Sequence, residues 1–87
     1  MAELERRLAR LDKASPVGPW TAATLDLILQ HPARRAPDLA EIIGMDTARF
    51  KPNVRKLKAL GLTESLATGY RISPRGEALL ARRQDLS

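Results

Sequence analysis

The chain has 87 residues, 44% of them hydrophobic and 29% charged, with a net charge of +5 and no cysteine. That length allows one modest core, and the missing thiols exclude disulfides, thiolate metal sites and cysteine nucleophiles together. A single histidine, His31, cannot build a zinc site without partners, and no apolar run approaches the roughly 18–20 residues that cross a bilayer.

The opening residues are charged and carry no signal-peptide apolar segment, so a cytoplasmic protein is expected. The charge itself is unevenly placed. Residues 1–45 hold six basic and six acidic side chains, whereas residues 46–87 hold nine basic and four acidic. All the excess lies in the second half. Such an asymmetry favours a polyanionic partner, because each neutralised phosphate releases condensed counterions.

Ala2 to Lys13 reads as an amphipathic helix. Leu4, Leu8 and Leu11 recur at i, i+4 and i+7, while Glu3, Glu5, Arg6, Arg7 and Arg10 take the other face. A helix this short is marginal alone in water, so its leucines must pack on the chain's own core or on a second chain. Ser15 to Pro19, with two prolines and a glycine, breaks it. A second helix is predicted from Ala22 to Gln30, with Thr21 as N-cap and Leu25, Ile28 and Leu29 facing inward. Trp20 lids the core from just outside it. Pro32 ends that helix, and Ala33 to Ala36, with Arg34 and Arg35, reads as a solvated polar link.

Pro37 suits the first position of a third helix, where a missing N–H costs nothing. Leu39, Ala40, Ile42 and Ile43 give that helix its apolar side, and Gly44 closes it with a left-handed backbone. Asp46 is the expected N-cap of a fourth helix that reaches Leu60 and stops at Gly61. The periodicity then changes. Leu62 to Leu66 and Tyr70 to Ile72 read as short strands joined through Ala67-Thr68-Gly69. Ser73-Pro74 opens a last helix that runs to about Arg83, with Ala78, Leu79 and the stem of Arg82 covering the core. The fold class is mainly α with a small β-hairpin, hence α+β.

The spacing around Gly44 carries the functional signal. Two helices that cross steeply through a short turn need a small residue at the crossing, here Ala40, and a turn residue that tolerates positive φ, here Gly44. Met45 plugs the turn from below. Phe50, Val54 and Leu57, at i, i+4 and i+7, point an apolar stripe back at the preceding helix. From Ala22 to Leu80 the chain resembles the winged helix-turn-helix family of prokaryotic regulators. The resemblance rests on Asp38-Leu39-Ala40-Glu41-Ile42-Ile43-Gly44-Met45, on Val54 to Leu62 ending in Leu60-Gly61-Leu62, and on Gly69-Tyr70-Arg71-Ile72-Ser73-Pro74-Arg75-Gly76.

That resemblance implies a winged helix-turn-helix domain over residues 20–84, preceded by a packing or dimerising helix over residues 1–14. It implies double-stranded DNA as partner, helix 46–60 in the major groove and hairpin 62–72 as the wing, in a small bacterial transcription regulator or a protein of the nucleoid. Thr47, Arg49 and Lys51 lie where such helices read bases, and of these only the arginine and the lysine can donate to guanine. Arg55, Lys56 and Lys58 are placed for phosphates, with Thr68 and Arg71 on the wing and Arg75 beside it. Such regulators commonly bind as dimers, and Leu4, Leu8 and Leu11 are the stripe left over for pairing.

Pro52 departs from the family pattern, because an interior proline removes a helix hydrogen bond. Either Asp46 to Lys51 forms a separate turn, or the helix kinks at Pro52. No glycine-rich phosphate loop, carboxylate pair, triad or metal cluster is apparent, so an enzyme is not expected. No cofactor, metal, membrane or small-molecule substrate is implied. The other reading of the same fold is a protein–protein interaction module that does not bind DNA.

Overall fold

The first helix, α1, spans Ala2–Ala14 in the computed structural model, which describes residues 2–16 and 18–86, with side chains as far as Arg83. Val17, part of the expected helix break, lies outside the described residues. The leucine stripe of α1 is taken up by the chain's own core. Leu8 is only 1% exposed, and Leu4 and Leu11 are half-buried against a cluster of Trp20, Leu25, Leu57, Leu62, Leu79 and Leu80. Leu8 is thus filled in by the chain's own core, while Leu4 and Leu11 keep part of their surface toward solvent.

The last turn of α1 also caps the next helix, α2, which spans Thr21–Gln30. One Asp12 carboxylate oxygen accepts from the Trp20 and Thr21 amides at 2.8 and 2.9 Å, and the other accepts from the Thr21 hydroxyl at 2.8 Å. Thr21 is therefore the first helical residue and not the N-cap. A carboxylate aimed at a helix N-terminus is a stronger acceptor than a hydroxyl and complements the macrodipole, so the distant aspartate takes the cap. From this start α2 runs between two clusters. It gives Leu25 to the first and Leu27 and Ile28 to a second, made with Ala36, Leu39, Ala40, Phe50 and Val54. Leu27 joins the inward face, and Leu29 is half-buried.

After Gln30 the chain does more than link. Ala33 takes φ +63°, its amide donates to the Tyr70 carbonyl at 2.8 Å, and the Tyr70 amide donates to the Arg34 carbonyl at 3.0 Å. The stretch expected as a solvated link is thus bridged to the hairpin. Helix α3 follows over Ala36–Ile42, with Pro37 one place later than expected. Its buried residues are Ala36, Leu39 and Ala40, whereas Ile42 and Ile43 are 50% and 39% exposed. The expected apolar side extended the period past the helix end: Ile43 is the cap, and the backbone turns away at Gly44 with φ +67°. The Gly44 amide donates to the Glu41 carbonyl and the Met45 amide to the Ala40 carbonyl, the closure that lets a left-handed residue satisfy orphan carbonyls. Met45 is half-buried, a looser plug than expected.

Helix α4, Thr47–Ala59, runs without interruption through Pro52, so Asp46 to Lys51 is not a separate turn. Asp46 caps it through its extended backbone and its carbonyl, which accepts from the Arg49 and Phe50 amides; its side chain makes no capping bond. The same left-handed closure recurs at Gly61, with the Leu62 amide donating to the Leu57 carbonyl. Strands β1, Thr63–Leu66, and β2, Gly69–Ile72, form an antiparallel hairpin. Its two-residue turn is Ala67-Thr68. A side chain at Gly69 would strike the Arg34 carbonyl, so glycine there lets the link lie on the hairpin.

Helix α5, Pro74–Leu86, opens with Ser73. The Ser73 hydroxyl accepts from the Gly76 amide at 3.0 Å and donates to the Gly61 carbonyl at 2.6 Å, tying the start of α5 to the end of α4. Gly76 leaves room for the Leu62 carbonyl and the Ile72 side chain. Leu79 and Leu80 are buried and Ala78 is exposed, which moves the inward face one residue from the expected one. Arg82 lies on the surface, 3.6 Å from Glu5 of α1.

Among the described residues, five helices and a two-stranded hairpin thus enclose two adjoining clusters, with α2 touching α1, α4, α5 and β2. The radius of gyration is 12.2 Å, close to the roughly 12 Å of a folded chain of this length. Phe50 is fully buried, and Phe50→Ala should cost about 3–5 kcal/mol in urea unfolding. Asp12→Ala strips α2 of its cap and should cost about 1–3 kcal/mol. An Asp12→Ala protein as stable as the parent would mean that α1 does not hold α2 in this way.

Candidate nucleic-acid interface

The rotation of α4 decides what it shows to solvent. Phe50, Val54 and Leu57 are buried, so the ridge diametrically opposite consists of Ala48, Pro52 and Ala59, all exposed. Long cationic side chains stand along both flanks of that ridge. Lys51, Arg55 and Lys58 lie toward the hairpin, lining a groove with Ser65 and Tyr70. Lys51 also borders a neighbouring groove that reaches Arg35 and Pro37 at the start of α3. On the opposite flank, Arg49 and Lys56 line a smaller groove with Asn53, Pro16 and Trp20.

Thus α4 carries five cations and no carboxylate. Among the described residues none of the five forms an ion pair, in contrast to Arg7, Arg71 and Arg82. A helix with this much uncompensated charge is a ready partner for a row of phosphates. Thr47 is half-buried in the first turn and contributes less to the exposed face.

The hairpin differs from what its sequence suggests. Glu64 and Arg71 are direct cross-strand neighbours, and the Arg71 guanidinium donates to the Glu64 carboxylate at 2.6 Å. The arginine is exposed, but its charge is matched. Thr68 stands exposed in the turn. Arg75 is placed at the far end of α4, where it donates to the Leu60 carbonyl at 3.3 Å and lies over Gly61. It shares a groove of about 660 Å³ with Lys58, Arg7 and Glu3 and stands apart from Lys51 and Arg55.

Of the residues singled out in the sequence, the structure therefore gathers Lys51, Arg55 and Lys58 on one flank and Arg49 and Lys56 on the other. Arg71 and Arg75 are occupied locally. Arg35, Ser65 and Tyr70 were not anticipated. Ser65 and Tyr70 line the groove from the hairpin. Arg35 borders the neighbouring one because the bridge between Arg34 and Tyr70 folds the link onto the hairpin, a long-range pairing that no local pattern announces. Among the described residues there is no cluster of metal-ligating side chains, and no helix is long and apolar enough to cross a membrane.

Compared with known proteins, the chain matches no family model and no curated sequence.

Because the α4 cations are exposed and unpaired, they add little to stability. Lys51→Ala, Arg55→Ala and Lys56→Ala should each shift the unfolding free energy by no more than about 0.5 kcal/mol, and Arg71→Ala should do the same despite its short ion pair. A loss of 2 kcal/mol or more in thermal unfolding for any α4 variant would mean that its cation is part of the frame.

Proposed function

We propose that this chain is a winged helix-turn-helix domain that binds double-stranded DNA, with α4 in the major groove and the β1–β2 hairpin as the wing. The observation that carries the reading is the unpaired charge of α4, five cations on the exposed face of one helix. The element order supports it: α3 and α4 meet through the Gly44 turn, and the hairpin and α5 follow directly. Duplex is favoured over single strands because the chain has only three aromatic residues, with Trp20 and Phe50 buried and Tyr70 half-buried. Single-strand recognition commonly stacks bases on exposed rings. In this role the protein is a small regulator of transcription or a nucleoid component.

One observation favours the other reading, a protein-interaction module. Ile42 and Ile43 form an exposed apolar pair at the end of α3. The two readings separate in a salt titration of the whole chain with a labelled duplex. Phosphate-driven binding must weaken steeply as salt rises, and Lys51→Ala and Arg55→Ala should each lower the slope by about one. No affinity at low salt, or slopes unmoved by both substitutions, would contradict DNA binding through α4.

A further inference from the structure

Resting on that reading of α4, we propose that the helix straddles the major groove with one row of cations toward each phosphate strand, and binds the duplex without a preferred base sequence. The rows are set by helical spacing. Lys51, Arg55 and Lys58 recur at i, i+4 and i+7 on the hairpin flank, and Arg49 and Lys56 recur at i and i+7 on the Trp20 flank. An α-helix with its side chains is about 10–12 Å across, and the major groove is about 12 Å wide. A helix lying in that groove therefore turns its two flanks to the two walls, where the phosphates are.

The floor of the groove meets the ridge between the rows. Sequence is read there by side chains that donate or accept hydrogen bonds in a fixed pattern. Ala48, Pro52 and Ala59 can do neither. Ala48 and Pro52 occupy the early part of the helix, from which bases are usually read, so the poorest chemistry stands where recognition needs the richest. Apolar contact with a thymine methyl is all the ridge can offer. The wing adds little, because the charge of its one arginine is matched by Glu64 across the strands. Arg49 and Lys51, the two residues of the early helix that can donate to guanine, stand on the flanks and so face the walls. Contact with phosphates there positions a protein on DNA but carries no sequence information.

The test uses the whole chain and duplexes of one length that are A·T-rich, G·C-rich or mixed, titrated at one salt concentration, together with selection from a random duplex pool. The expected affinities agree within about threefold, with no enriched motif; specific binders typically prefer their sites by about a thousandfold or more. The double variants Arg49→Ala/Lys56→Ala and Lys51→Ala/Arg55→Ala should each lower the salt slope by about two. A preference of about a hundredfold for one sequence would overturn sequence-indifferent binding while leaving duplex binding intact. An unchanged slope in the Arg49/Lys56 pair alone would remove the second row. Absence of binding to every duplex would overturn this inference together with the reading beneath it.

Discussion

Burial of Phe50 between α3 and α4 is the contact on which the rest of the molecule's surface depends. A helix has one rotational freedom about its axis, and Phe50, Val54 and Leu57 remove it by filling the core. Their partners Leu39 and Ala40 are brought to them by the turn at Gly44 and Met45 that joins the two helices. Once that face is sealed, the positions of every cation on α4 follow. Crowding them has a cost, since like charges at i, i+4 such as Lys51 and Arg55 destabilise a helix by about 0.2–0.5 kcal/mol per pair. The burial of Phe50 alone is worth several times that. The core therefore tolerates the repulsion, and a polyanion would relieve it.

Around this contact the frame is closed by bonds between elements distant in sequence. Asp12 caps α2 from α1, and Ser73 joins the end of α4 to the start of α5. Arg34 and Tyr70 join the link to the hairpin. Two glycines allow the closest approaches: Gly69 against the Arg34 backbone and Gly76 against the Leu62 carbonyl. Together these ties fix the hairpin beside α4, so that Ser65 and Tyr70 share a groove with Lys51, Arg55 and Lys58. The groove is a property of tertiary closure and not of any one segment.

Much of this frame was legible in the residues, and the exceptions have a common cause. The five helices and the hairpin announce themselves through local chemistry: proline and serine at helix starts, glycine at the ends of α3 and α4, and the i, i+4, i+7 stripe of Phe50, Val54 and Leu57. What the sequence hid is non-local. No pattern near Thr21 reveals that its cap comes from Asp12, and none near Arg34 reveals its pairing with Tyr70. Ile43 looks like core because the helical period was carried onto the residue that caps α3, and Ile42, the last residue of α3, lies off the face that Ala36, Leu39 and Ala40 bury. Ala78 and Leu80 exchanged places for want of a known partner face. On α4 the five cations could be read from the sequence, whereas their division between two flanks came from the packed neighbours. The neutralisation of Arg71 depended on the strand register that sets it opposite Glu64.

The central claim, that α4 is the surface presented to a duplex, is tested most directly by mapping backbone amide shifts of the whole chain during titration with a random-sequence duplex. The account expects the perturbed amides to cluster between Ala48 and Ala59 on both flanks of the ridge, and on the hairpin near Ser65 and Thr68. Ile42, Ile43 and the exposed face of α1 should stay unchanged. Shifts centred on Ile42 and Ile43, or a spectrum unmoved by saturating duplex at low salt, would contradict it.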